Sequence, residues 1–211
     1  MSMSIVRLLG HSFGDGYIHK TKSYFIYANS AKELLNEVSV NVDATFGNVS
    51  SCERTSIGGT PQIQFSVIVG RKLNQLGVPR GSKTKQPTVI PSQIIHGKED
   101  ARADFLGALC DDEAQVRPDS GSKQIALKSA KLATLEAELD DYLNQIRELF
   151  ESLEIKCSTP KRDRTYVRGG ETKISKRVWI TGSTNFATFA QKIVLNHAQK
   201  QAQLHGLLQS R

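Results

Sequence analysis

The chain has 211 residues, 38% hydrophobic and 23% charged, with a formal net charge of +7. That length buries a sizeable core as one large domain or two small ones, and the composition is that of a folded protein. The positive excess points to an anionic partner, nucleic acid first. Three cysteines without CxxC spacing exclude a disulfide framework or a zinc finger. The lack of any long apolar run excludes a membrane span, and a reducing, intracellular setting is expected.

Residues 3–13 (MSIVRLLGHSF) read as a short, mostly apolar helix, ended by Asp15-Gly16. Strand-like pieces follow within 17–28, around Lys20-Thr21-Lys22. Asn29 and Ser30 then cap a helix from about 31, because their side chains accept orphan backbone N–H groups. Residues 49–57 and 62–69 read as a hairpin joined by Gly58-Gly59-Thr60-Pro61. A short helix is expected at 71–76. Gly, Pro and basic residues mark 77–98 as a linker.

The second half repeats the order. A helix is expected at 99–112 and strand pieces within 115–128. The Leu-rich stripe predicts a long helix over 131–154. A strand pair follows within 155–181, then one helix over 184–208. The domains are therefore 1–95, counted with its linker, and 99–211.

Self-similarity supports this division. Leu8–Gly16 (LLGHSFGDG) and Leu106–Ala114 (LGALCDDEA) each carry an apolar run with small residues, then an acid. Asp15 and Glu113 stand 98 positions apart. Asn29 and Lys128 match at an offset of 99, and Val69-Gly70 matches Thr181-Gly182 at 112. In this alignment Ile26, Ala28, Ile125 and Leu127 form the buried set. Phe25, Tyr27, Asn29, Gln124, Ala126 and Lys128 lie on the other sheet face.

Alone, each acid is a solvated helix end. Together, at abutting helix ends, they suit a hard cation such as Mg²⁺, which takes oxygen ligands and leaves room for water and phosphate. Such a cation would also relieve the unfavourable meeting of an acid with a helix C-terminus. His11 is expected as a packed interface histidine and Cys110 as a small buried apolar residue.

The doubled pattern resembles the LAGLIDADG motif, and the GVPRG-K…IP segment resembles the one before the second motif in archaeal-type members of that family. The resemblance covers about residues 5–195. It implies an α+β fold of two pseudo-twofold αββαββα repeats, motif helices at the centre and antiparallel sheets forming a saddle over double-stranded DNA. It further implies a monomeric, intron-encoded, Mg²⁺-dependent homing endonuclease. Asp15 and Glu113 would hold the metal, with Gly14 and Asp112 as carbonyl ligands. Lys128 and Asn29 would act at the scissile phosphate. Lys20, Lys22, Arg54, Gln62 and Gln64, with Arg162, Arg164, Arg168, Lys173 and Arg177 of the basic second hairpin, would contact DNA. The alternatives are an RNA maturase that binds intron RNA and a non-catalytic DNA-binding regulator. Ala114 in place of the motif's last glycine, and Ala108 and Asp112 at its small packing positions, predict slightly asymmetric helix packing.

Overall fold

A computed structural model describes residues 1–118, 121 and 123–209; residues 119, 120 and 122 of the expected 115–128 strand region, and the last two of the second repeat, lie outside it. Helix α1 (Met3–Phe13) is buried along its whole length from Ile5, as befits a helix apolar on nearly all sides. It packs lengthwise on α5 (Glu99–Glu113), whose stretch Phe105–Asp111 is buried. Their closest approach is at Gly10, where an added Cβ would stand 2.5 Å from the Phe105 carbonyl oxygen and 2.7 Å from the Ala108 Cβ. Positions 10 and 108 are 98 apart, like the two acids, so the approximate twofold axis passes between them. Gly10→Val should therefore cost roughly 1–3 kcal/mol through forced separation of the helices, read as a lowered urea midpoint; an unchanged midpoint would refute the close approach.

Each repeat builds one four-stranded antiparallel sheet. The first comprises β1 (Gly16–Ile18), β2 (Phe25–Ala28), β3 (Ser51–Thr55) and β4 (Pro61–Phe65), in the order β1-β2-β4-β3. The second comprises β5 (Ala114–Arg117), β6 (Gln124–Leu132), β7 (Lys161–Arg168) and β8 (Glu171–Ile180), in the order β5-β6-β8-β7. The other helices are α2 (Lys32–Phe46), α3 (Val67–Gln75), α4 (Ser92–Ile95), α6 (Glu136–Glu151), α7 (Ser183–Lys192) and α8 (Ala198–Gln209). The expected αββαββα order thus holds twice. Among the described residues no helix is long and apolar enough to cross a membrane.

Several boundaries differ from expectation, each for a tertiary reason. Val67–Val69 are helical, because Val69 and Leu73, one turn apart, bury the same face of α3. Lys131 and Leu132 extend strand β6, since β8 offers partners along its length, and α6 begins only at Glu136. The expected helix over 184–208 is two. The break at 193–197 frees the amides of Asn196 and His197, which donate to the buried Asp111 carboxylate at 3.0 and 2.9 Å.

The repeat alignment also shifts. Gly16 pairs with Tyr27 in the first sheet and Ala114 with Leu127 in the second, so β2 and β6 correspond at an offset of 100, not 99. One residue turns a strand over. Phe25 and Tyr27 are fully buried, whereas Ile26 and Ala28 are half-buried, the reverse of the expected set. Ile125 and Leu127 are buried as expected, with Ala126 also buried. Asn29 thus corresponds to Ser129, and Lys128 to Ala28. At β4 and β8 the ladders align at 115, with Ile63 and Val178 as counterparts, which replaces the match of 69–70 to 181–182.

Candidate active site

The two motif helices end side by side, and their ends gather three carboxylates. Asp15 follows α1, on the exposed rim, and its Oδ2 accepts from the Asn29 amide at 2.9 Å. The Asn29 Oδ1 accepts from the Ala31 N–H at 2.9 Å, so this side chain fixes the turn before α2 and orients Asp15; it does not cap the helix as expected, because the N-cap is Ala31 and carries no side-chain cap bond. Glu113 closes α5 and is half-buried. Desolvation pushes Asp15 up to about 6, with the Asp112 charge adding to it and Lys83, Lys200 and His11 opposing. Desolvation likewise pushes Glu113 up to about 7; Lys83 opposes it, and the charges of Asp15 and Asp112 add to it. Both acids are thus raised towards neutrality by lost hydration and by neighbouring negative charge.

Asp112 is the third carboxylate, and its side chain is fully buried. It accepts from the Tyr27 hydroxyl at 2.6 Å, the Asp15 N–H at 3.1 Å and His11 Nδ1 at 3.2 Å. It fits because residue 14 is glycine: a Cβ there would lie 2.4 Å from Asp112 Oδ2. Positions 14 and 112 are equivalent in the repeats, so one half supplies the space and the other the acid. His11 is a packed interface residue, as expected, but a charged one. Burial disfavours its proton, yet Asp112 and Glu37 outweigh burial and raise its pKa to about 9. Deeper in the interface, Arg7 is hydrogen-bonded to Glu37 and donates to Asp111 at 3.0 Å. Cys110 is fully buried.

Two lysines close the helix ends. Lys83 Nζ donates to the carbonyls of Ser12 (3.0 Å), Phe13 (2.9 Å) and Gly14. Lys200 Nζ donates to those of Cys110 (3.1 Å), Asp111 (2.5 Å) and Asp112 (3.1 Å). These two triplets are equivalent at the offset of 98. A helix C-terminus leaves its last carbonyls unpaired and favours a cation, and an ammonium has three protons to give. Burial lowers the pKa of both lysines against the pull of the acids.

The structure thus brings Asp15, Glu113, Gly14, Asp112 and Asn29 together. Lys128 lines the same cleft as Glu113, Lys83, Gln115 and Lys131, but its ammonium is bonded to Asp163, at a bulge in β7. The other candidates lie on the sheets. Lys20 and Lys22 are exposed in the β1–β2 turn. Arg54 pairs with Gln62 across β3–β4, and Gln64 pairs with Cys52. On the second hairpin Arg162 is bound to Glu136 (2.6 Å), Arg164 lies over Tyr166 and Arg177 over Trp179. Arg168 is exposed near the Gly169-Gly170 turn, and Lys173 pairs with Tyr166. Lys176 is held by Asp140 and Glu136, so acids neutralise part of the basic run.

The carboxylates of Asp15 and Glu113 suit a hard divalent ion. The carbonyls of Gly14 and Asp112 do not offer themselves as ligands here, because each already accepts from an ammonium. Among the described residues no group of three or more His, Cys, Asp or Glu side chains is arranged to hold a metal.

No family model matches the chain. The tRNA-splicing ligase RtcB of Pyrococcus abyssi (strain GE5 / Orsay) is 24% identical over 205 residues, which are 90% of this chain and 22% of that protein. The chain therefore spans about a fifth of the length of the curated relatives it matches. Among solved structures, I-DmoI in complex with DNA and Ca superposes with a TM-score of 0.64 at 10% identity, covering 96% of this chain and 97% of that one. Other I-DmoI structures hold target DNA with Mn or Mg. Full-length WhiA from Thermatoga maritima gives a TM-score of 0.59 at 10% identity, over 96% of this chain and 60% of that one. The doubled motif, the two sheets of like strand order and the adjoining acid-bearing helix ends are all accounted for together: this chain has the two-repeat LAGLIDADG fold of the homing endonuclease I-DmoI.

Proposed function

We propose that the protein is a site-specific endonuclease that hydrolyses double-stranded DNA with a divalent metal, Mg²⁺ foremost. The pairing of Asp15 with Glu113 at adjoining helix ends carries this reading. When bound, the ion would activate water and neutralise charge on the scissile phosphate. Asp15 and Glu113 would hold it, and Asn29 fixes the Asp15 carboxylate. Lys83 and Lys200 add positive charge where a phosphate would lie. Lys128, once released from Asp163, can turn to the cleft it shares with Glu113. Gly14 and Asp112 offer carbonyls only when the lysines withdraw.

The two repeats, 1–95 and 99–211, would each lay one sheet on one half-site. Lys20, Lys22, Arg54, Gln62, Gln64, Arg162, Arg164, Arg168, Lys173 and Arg177 would contact backbone and bases. The protein acts as an intracellular monomer encoded within an intron. The match to only a fifth of a longer relative favours the other origin, a module carried within a larger polypeptide. A maturase acting on intron RNA is the second reading, favoured by the splicing activity in that relative's name; a DNA-binding regulator without catalysis is the third.

The test is a randomised duplex library incubated with Mg²⁺ or Ca²⁺, using wild type, Asp15→Asn and Glu113→Gln. Enriched cut ends only with Mg²⁺ and wild type are expected. Binding without cutting under any metal would overturn the enzyme reading, and preference for structured RNA would favour the second.

A further inference from the structure

Lys83 and Lys200 come from unrelated elements. Lys83 lies in a 3₁₀ turn of the linker and Lys200 in the first turn of the last helix. Yet each reaches three consecutive carbonyls at the C-terminal end of the motif helix in its own repeat, and the two sets of three are equivalent at an offset of 98. The same device is thus built twice, from different segments, at equivalent helix ends. We propose that these two ammonium groups are tethered cations which occupy the carbonyl side of the candidate metal seats in the metal-free protein, and that a divalent ion gains the Gly14 and Asp112 carbonyls only by displacing them. The proposal rests on the nuclease reading solely for the identity of the ion.

The charge arrangement favours exchange. Among the carboxylates, Glu113 acts most strongly on Lys83, and Asp112 and Asp15 follow. Lys200 is drawn by Asp112, Asp111 and Asp15. Each ammonium therefore sits between carbonyls of one repeat and acids that include one from the other, as a bridging cation would. Each is half-buried and spends all three protons on carbonyls, so a second cation on the same oxygens would face both like charge and occupied lone pairs.

The backbone behind Lys83 is fixed, so the exchange is a side-chain movement. Lys131, 2% exposed, donates to the Lys83 carbonyl at 2.8 Å, the Gln86 carbonyl at 2.7 Å and Thr88 Oγ1 at 2.7 Å. A four-carbon stem on an anchored Cα can swing its ammonium towards the neighbouring cleft and so towards a bound phosphate. Lys83 lines that cleft already.

The test uses the full chain without DNA and titrates Mn²⁺ by calorimetry. Lys83→Met and Lys200→Met should each bind Mn²⁺ about tenfold more tightly than wild type, since the seat no longer has to be vacated. Equal or weaker binding would overturn the proposal, as would an absence of binding to all three proteins. Should the variants fail to fold, wild-type amine acetylation read by mass spectrometry decides. Lys83 and Lys200 should react slowly beside the exposed Lys20, and faster once Mn²⁺ saturates the protein. Reactivity unchanged by bound Mn²⁺ would refute displacement. Cleavage of duplex DNA is scored separately: cutting without the affinity change sinks this inference alone, and the affinity change without cutting sinks the nuclease reading alone.

Discussion

At pH 8 and without metal, Glu113→Gln is expected to unfold later than wild type, by on the order of 2 kcal/mol. The folded-state pKa of Glu113 is raised from its ordinary 4.5 to about 7, chiefly by desolvation. An acid so raised contributes stability through its proton. That contribution is complete below 4.5 and is lost as pH climbs through 7. One pKa unit corresponds to roughly 1.4 kcal/mol, and partial exposure discounts the full value. Asp15 should act in the same direction between 3.8 and about 6, with a smaller effect because it lies on the exposed rim. Glu37 is lowered to about 2 by His11 and Arg7 despite burial, and its contribution is lost only as pH falls towards that value. His11, raised to about 9, loses its contribution between 6.5 and 9 in wild type and variant alike, so it cancels from the difference. The variant-minus-wild-type stability from urea titrations should thus be near zero at pH 4.5 and rise to a plateau above pH 7. A flat difference would mean that Glu113 is well solvated. If Glu113 holds the ion as proposed, saturating Mg²⁺ shrinks the plateau, because it stabilises wild type over the variant.

Asp111→Ala is expected to cost about 3–5 kcal/mol, the largest loss from any single truncation in the interface. Its side chain is fully buried and accepts from Arg7 at 3.0 Å and from the amides of Asn196 and His197. Removing it leaves a buried guanidinium short of a partner and two amides unpaired, and it unfastens the break between α7 and α8. Adding Arg7→Met should recover part of the loss, which a double-mutant cycle measures. A loss below about 1 kcal/mol for Asp111→Ala would mean that water replaces the carboxylate.

Much of this architecture is legible in the sequence because the motif helices announce themselves locally. The bounds of α1 follow from the apolar run and the Gly14–Gly16 turn, and the acids from their spacing. The strand register was not legible. An offset of 99 aligned polar Asn29 with Lys128, but the β5–β6 connection runs one residue further, and only the ladder partner of Leu127 reveals it. The stripe over 131–154 was continuous to the eye, because Leu132 and Leu135 sit at helical spacing by coincidence. Pairing with β8 decides against helix at Leu132, and Leu135 falls in a 3₁₀ turn before α6. Lys83 left a faint signal, a lysine after the Gly-Val-Pro-Arg-Gly turn. Lys200 left none, since a lysine on a polar helix is ordinarily a solvated one. The charge of His11 was hidden because Glu37 and Asp112 approach it from distant parts of the chain.

Gly14 against Asp112 has a consequence for how the two halves know each other. Were the first half to pair with its own copy, two glycines would meet and the central gap would stay empty. Were the second to do so, two buried aspartates would meet with one His11 fewer to balance them. Only the mixed pairing fills the space and matches the charge. A pair of identical halves would meet symmetrically; the difference at these two positions, with Arg7 against Asp111 behind it, makes the partnership an exclusive one, in which each half is the lock for the other's key.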